Sequence, residues 1–304
     1  MTARNIKNLS ASVHERLLNK AKQSSRPFNE LLQRFVIERF LYRLSKSPHA
    51  DRFILKGALM LPVWSAQGSR PTMDIDLLGR IDNSLDAIAA VMREVCRAEV
   101  EPDGVSFDAR SVTTAAITAE AEYEGVRVRL RGGLGNARVS LQIDIGFGDA
   151  VVPGPCKVTY PVLLDFPAPE VNGYTRESTI AEKLHAMVRL GVLNSRMKDF
   201  YDIWMLCRTF DFDGGVLAKA VEDAFRNRNT PFTANPEVFE PLFARDPDKE
   251  PQWKSFIRKT KLTSAPDDFE AVVTVVKTFL EPVAASLAGG RTFRGTWEAP
   301  GPWR

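Results

Sequence analysis

The chain has 304 residues, 44% of them hydrophobic and 26% charged, with a formal net charge of +3. That length exceeds one minimal domain and suits one large or two ordinary domains with a full core. No apolar run is expected to reach membrane-spanning length, the opening MTARNIKNLS lacks the apolar core of a signal peptide, and Cys96, Cys156 and Cys207 are unclustered, without metal spacing. This points to reduced thiols in the cytoplasm with no membrane partner, and the mild basic balance permits a nucleic-acid partner without demanding one.

Residues 1–50 read as a basic helical segment packing on the core. Ser12 with Glu15 three residues on fits a capping box, and Val13, Leu17, Leu18 and Ala21 follow at helical spacing. A second helix over about 29–45 has Leu31, Leu32, Phe35, Ile37, Leu41 and Leu44 as core positions, with Arg34, Arg39, Arg43 and Lys46 on a solvated basic face.

The chemistry concentrates in residues 53–79. Phe53-Ile54-Leu55 reads as a buried strand, Lys56-Gly57-Ala58 breaks it, and a helix starts at Leu59. After the loop carrying Arg70, Pro71 and Thr72, the run Met73-Asp74-Ile75-Asp76-Leu77-Leu78 alternates as a strand. Residues i and i+2 of a strand share a face, so Asp74 and Asp76 lie side by side and repel unless a cation separates them. Mg²⁺ suits that place, because it takes oxygen ligands from one or two carboxylates and from substrate phosphates. The Gly57 turn offers backbone N–H groups to such phosphates. Asp-x-Asp by itself also suits a solvated edge strand or the diphosphate site of a glycosyltransferase; the strand-Gly-helix and the Arg70–Thr72 loop favour the metal reading because they build a pocket around the pair.

Further along, 85–98 reads as an amphipathic helix capped by Ser84, 105–108 as a short strand and 117–131 as a long one. Arg127, Arg129 and Arg131 alternate on the long strand, as either an RNA-binding groove or a solvated face. A turn at 132–136 leads to a strand over 138–147, whose polar face carries Asp144 as a third carboxylate. Three acids on adjacent strands would hold two cations for displacement at phosphorus. The Pro-rich 151–176 reads as a strand at 162–164 wrapped by loops. The chain is then helical: Lys183 lies off an apolar stripe of Ile180, Leu184, Met187 and Val188, His185 reads as a packed histidine, and Arg196, Lys198, Asp199 and Asp202 crowd one helix start. The plain alternative for that crowd is a capped, salt-bridged surface helix. Helices follow near 215–226, 251–261 and 267–287. The expected divisions are a helical segment at 1–50, an α/β domain at 51–170, a helical domain at 171–288 and a loosely ordered tail at 289–304.

Taken in order, Lys56-Gly57 before a helix, Arg70-x-Thr72-x-Asp74-Ile75-Asp76, Gln142-Ile143-Asp144-Ile145, Glu182-Lys183-Leu184 and Lys198-Asp199-Phe200-Tyr201-Asp202-Ile203-Trp204 resemble the AbiEii/AbiGii nucleotidyltransferase toxin family, the toxin halves of abortive-infection and MenAT-type toxin–antitoxin systems. The resemblance spans about residues 30–230. It implies an α/β (α+β) fold: a DNA polymerase β-like nucleotidyltransferase domain with a mixed sheet, plus a helical C-terminal domain. It also implies Mg²⁺, a nucleoside triphosphate, a cognate antitoxin encoded nearby, and transfer of a nucleoside monophosphate to an RNA acceptor such as the tRNA 3′ end, which blocks translation.

Carried over by position, Asp74, Asp76 and Asp144 would hold metal, Lys183 would meet the triphosphate, and Asp199 or Asp202 would assist the acceptor. Lys56, Gly57, Ala58, Arg70, Thr72, Lys183 and Lys198 would bind the nucleotide. The family's Gly-Gly or the wider Gly-Ser is Gly57-Ala58 here, which removes a hydroxyl and implies weakened or rearranged phosphate binding. A hydroxyl residue near Thr72 is phosphorylated by the antitoxin in a related toxin, and a phosphate there would repel a triphosphate. Nucleotidylation of a protein hydroxyl and a non-catalytic nucleic-acid-binding homologue are the alternatives; the complete acid set favours the enzyme.

Overall fold

The computed structural model describes residues 8–64, 70–117, 125–262 and 264–304. It divides into two compact units: one of Met1–Val63, Thr72–Gly148 and Cys156–Gly173, the other of Trp64–Pro71, Asp149–Pro155 and Tyr174–Arg304.

The first unit opens with helix α1 (Leu9–Ser24). Its cap is Asn8, whose side chain accepts from the Ala11 N–H at 3.0 Å, so the expected start at Ser12 lies inside the helix. Helix α2 (Phe28–Lys46) is buried almost continuously from Leu31 to Leu44, including Glu38, Arg39 and Arg43. The basic face read as solvated is therefore largely interior. Arg43 holds both oxygens of Asp103, at 2.7 and 3.1 Å, and Arg39 donates to the Pro167 carbonyl at 2.8 Å. These partners make burial of the guanidinium groups tolerable.

The rest of the unit is a mixed sheet and its helices. Strand β1 (Phe53–Lys56) leads through a short 3₁₀ turn, Gly57–Leu59, into α3 (Met60–Val63). Then come β2 (Ile75–Gly79), α4 (Leu85–Arg97), β3 (Val105–Ile117), β4 (Gly125–Leu134), β5 (Ala137–Phe147), β6 (Cys156–Thr159) and β7 (Glu170–Gly173). The seven strands lie in the order β3-β4-β5-β2-β1-β7-β6, with β2/β5 and β1/β7 parallel and the other pairs antiparallel. The alternation of β5 is as expected, with Val139, Leu141, Ile143 and Ile145 buried. Ser84 caps α4, accepting from the Ala87 N–H.

Three sequence expectations change. No strand forms at 162–164; the strands of the Pro-rich region are β6 and β7. The short strand at 105–108 extends to Ile117, with a register shift between Asp108 and Thr113. The long strand begins at Gly125, residues 118–124 lying outside the described residues.

The second unit holds α5 (Arg176–Leu190), α6 (Met197–Thr209), β8 (Phe212–Asp213), α7 (Gly214–Asn227), α8 (Pro241–Ala244), α9 (Lys249–Thr260), α10 (Phe269–Ala288) and β9 (Thr296–Trp297). Helix α10 is the exception to the expected lack of a membrane-length apolar run: its 20 residues have a mean hydropathy of 1.5. Phe269, Val272, Val273, Val276, Phe279, Leu280 and Val283 are buried in the packed unit, the behaviour of a core helix. The tail is ordered, contrary to its Gly/Pro-rich composition. β9 pairs with β8, the buried Trp297 donates its indole N–H to the Cys207 carbonyl at 2.6 Å, and Trp303 donates to the Phe279 carbonyl at 2.8 Å.

Candidate active site

The sheet aligns a row of charged residues across four strands. Lys56 on β1 is the register partner of Asp76 on β2, Asp76 partners Asp144 on β5, and Asp144 partners Arg127 on β4. Direct partners in a sheet point to the same face, with neighbouring strands about 4.8 Å apart. The row therefore reads plus, minus, minus, plus on one face. Each member follows from its strand's alternation: Ile75 and Leu77 flank Asp76, and Ile143 and Ile145 flank Asp144, and all four apolar side chains are buried on the opposite side.

Arg127 grips Asp144 with both prongs, Nε to Oδ1 and Nη2 to Oδ2, each at 2.8 Å. These hydrogen bonds hold the guanidinium above the usual arginine range, and the charges of Asp144, Asp74 and Asp76 add to the effect. Asp74 is exposed and precedes β2, which begins at Ile75, so it stands at the strand's entrance and not within the alternating run. Thr72 donates to the Asp74 carbonyl at 3.4 Å. Gly57 has φ +68, and a Cβ there would collide with the Asp76 carboxylate. Glycine is thus required twice, for the left-handed turn and for the room that Asp76 occupies. Lys56 and Ala58 are both buried.

Among the described residues, no three His, Cys, Asp or Glu side chains come close enough together to hold a metal ion. Asp74 and Asp76 fit Mg²⁺ as a pair, since that ion completes its octahedron with water and phosphate oxygens. The space reserved by Gly57 for the Asp76 carboxylate supports this fit. The three-acid set expected from the sequence differs at Asp144, whose two oxygens both face Arg127; ligation by Asp144 requires that pair to open.

The helical unit contains a second charge cluster. Lys183 on α5 places Nζ 2.6 Å from Asp199 Oδ1 and 2.8 Å from Asp202 Oδ2. Arg196 Nε lies 2.6 Å from Asp199 Oδ2, and Arg70 donates Nε and Nη2 to the two oxygens of Asp202 at 2.9 and 3.0 Å. Both carboxylates have no solvent exposure, which overturns the surface-helix alternative. Burial by itself would push these carboxyls up, but Lys183 and Arg196 around Asp199, and Arg70 and Lys183 around Asp202, hold both below the usual carboxylate range. Burial likewise opposes the charge on Lys183, yet Asp199 and Asp202 raise it. Lys198 goes the other way: burial lowers it, with Asp199 only partly offsetting the effect. His185 is a packed residue, with Nε2 2.8 Å from Thr230 Oγ1 and burial lowering it to about 4.

Sequence reading missed the partnership of Arg127 with Asp144. Both residues were singled out, but for separate roles, and only the β4/β5 register joins them.

The family model described as nucleotidyl transferase AbiEii toxin, type IV toxin–antitoxin system, matches residues 39–275. The structure is similar to MenT4, a nucleotidyltransferase toxin from Mycobacterium tuberculosis H37Rv, with a TM-score of 0.51 and 17% identity over 92% of this chain and 98% of that one. It also resembles a protein from H. pylori described as a nucleotidyltransferase, with a TM-score of 0.45 and 13% identity over 85% of this chain and 95% of that one. No curated protein sequence matches. The likeness to MenT4 shows a nucleotidyltransferase fold.

Proposed function

Because the chain belongs to the AbiEii nucleotidyl transferase toxin family of toxin–antitoxin systems, we propose that it moves a nucleoside monophosphate from a nucleoside triphosphate to an RNA acceptor, the tRNA 3′ end, and so stops translation. The observation that carries this reading is the cross-strand row of Lys56, Asp76, Asp144 and Arg127, with Gly57 giving the Asp76 carboxylate its room. The toxin works in the cytoplasm, where both substrates occur, and its antitoxin is its protein partner.

Asp74 and Asp76 are the residues that would hold Mg²⁺. When bound there, the ion offsets phosphate charge and lowers the pKa of the acceptor hydroxyl. The acceptor oxygen bonds to the α-phosphorus as the bond to pyrophosphate breaks, a reaction governed mainly by positioning and charge. Arg127 fixes the Asp144 carboxylate beside Asp76 and keeps two adjacent acids from repelling each other out of alignment. In the helical unit, Lys183 has three N–H donors and directs two at Asp199 and Asp202, which leaves one for a phosphate oxygen. Asp199 and Asp202 act as positioning residues that keep Lys183 charged and oriented.

The test is transfer of label from each radiolabelled nucleoside triphosphate into purified tRNA or into protein, by wild type and Asp74→Ala. We expect label in tRNA 3′ ends, an Asp74→Ala rate lower by roughly a thousandfold or more, and an unchanged melting temperature because Asp74 is exposed. Label in protein alone redirects the acceptor assignment, and full activity of Asp74→Ala removes the metal assignment.

A further inference from the structure

The acid row on the sheet already contains a cation where a second metal ion would lie. Asp76 of β2 and Asp144 of β5 are register partners on parallel strands, and Arg127 of β4 partners Asp144 on its other side. Two-metal centres set their ions about 3.5–4 Å apart, and the second ion needs a carboxylate beside those that hold the first. In this row that carboxylate is Asp144.

Arg127 takes up both of its oxygens, with Nε and Nη2 each at 2.8 Å. A guanidinium stays charged at any pH a cell reaches, so it does not give way to a metal by losing a proton. The charges of Asp74 and Asp76 also act on Arg127, which places it within electrostatic reach of the whole acid set. On the side away from Asp144 its register partner is the uncharged Ala115 of β3, and Asp108, farther along that strand, is already paired with Arg131 at 3.0 Å. A divalent ion on Asp144 would therefore meet a like charge only a few ångströms away, at about 4 Å, where repulsion is strong near a protein surface.

The charge balance agrees with the geometry. Lys56 and Arg127, at the two ends of the row, together carry the charge of one divalent ion. Against Asp74, Asp76 and Asp144 they leave a single negative charge in excess, which one Mg²⁺ more than neutralises. We propose that Arg127 is a built-in replacement for a second metal ion, so that the site holds one Mg²⁺, at Asp74 and Asp76, and no more. The inference rests on the metal reading of the proposed function and deepens it by fixing the number of ions. It replaces the two-cation expectation drawn from the three acids. Arg127 is a positioning residue: it neutralises Asp144, keeps that carboxylate in line beside Asp76 and closes it to metal.

The test counts ions without measuring transfer. Mn²⁺ stands in for Mg²⁺, together with an α,β-methylene analogue of each nucleoside triphosphate, which supplies phosphate oxygens without reacting. Two Mn²⁺ ions about 4 Å apart give an exchange-coupled electron paramagnetic resonance spectrum, which a single bound ion does not. We expect an isolated protein-bound Mn²⁺ in wild type and in Arg127→Lys, and a coupled pair in Arg127→Gln. Adding Asp144→Asn to Arg127→Gln should abolish the pair. The Arg127–Asp144 pair is partly exposed, so Arg127→Gln is expected to keep the wild-type melting temperature. A coupled pair in wild type overturns the inference whether or not that variant folds, and so does an isolated ion in folded Arg127→Gln. Either result leaves the metal reading standing, whereas wild type that binds no Mn²⁺ removes that reading and the inference with it.

Discussion

The two charged regions solve opposite problems. On the sheet, Asp74, Asp76 and Asp144 are acids at or near the surface, and Asp76 and Asp144 lie in a row bounded by one cation at each end. In the helical unit, Asp199 and Asp202 are fully buried beneath Lys183, Arg70 and Arg196. The first region has acid to offer a cation. The second has its acids fully committed and an excess of positive charge to offer an anion. The difference teaches that identical residues, at similar spacing in the chain, become accessible acids or buried struts according to burial and to which sign is in surplus.

The sharpest way to break this comparison is to delete one acid from each region. Asp202→Ala leaves Arg70 and Lys183 in the interior without a partner and is expected to cost roughly 3–5 kcal/mol of folding stability, read by chemical denaturation. Asp144→Ala removes the partner of Arg127, a pair whose side chains are 36% and 15% exposed, and is expected to cost less than about 1 kcal/mol. Equal losses would refute the distinction between a buried strut and an accessible acid.

A second probe contrasts the carboxylates of the helical cluster with a buried acid whose neighbouring arginines do not outweigh its burial. Glu38 on α2 is fully buried, and burial pushes its carboxyl up to about 7 despite the Leu163 N–H and Arg34. An acid that ionises less readily when folded destabilises the fold as pH rises. The penalty is absent below the reference value of 4.5, grows up to about 7 and stays constant above it, at about 3 kcal/mol. Asp199 and Asp202 have the opposite sign: their contribution is full above the unfolded carboxylate range and fades as pH falls through it toward their lowered folded values. Melting curves between pH 4.5 and 8 should therefore show Glu38→Gln gaining on wild type as pH rises. A constant offset would contradict the assigned protonation.

A third probe acts beside the row itself. Gly57→Ala forces a side chain into a left-handed turn and against the Asp76 carboxylate, at roughly 1–3 kcal/mol. If the row is catalytic, transfer should drop far more than this loss explains; a rate that follows the folded fraction would assign Gly57 to the turn alone.

Much of the sheet site was legible because strand alternation is a local code. It identified Asp76 and Asp144 as polar-face residues, since their neighbours are aliphatic and buried. It did not set the register, which depends on pairing between distant segments, so the union of Arg127 with Asp144 was invisible. Asp74 illustrates the limit at an edge: the pattern ran on to Met73, while the strand begins at Ile75. In α2 the arginines looked solvated because charge is a weak guide when a partner such as Asp103 lies 60 positions away.

The paired tryptophans near position 300 have a practical side. Trp297 and Trp303 fasten the last segment across carbonyls of α6 and α10, and Trp303 stacks on Phe279. That segment serves as a clasp for the same helix that bears Asp199 and Asp202. Trimming it for convenience in expression would loosen the scaffold of the charge cluster from behind, and a resulting loss of toxicity would be misread as damage to chemistry.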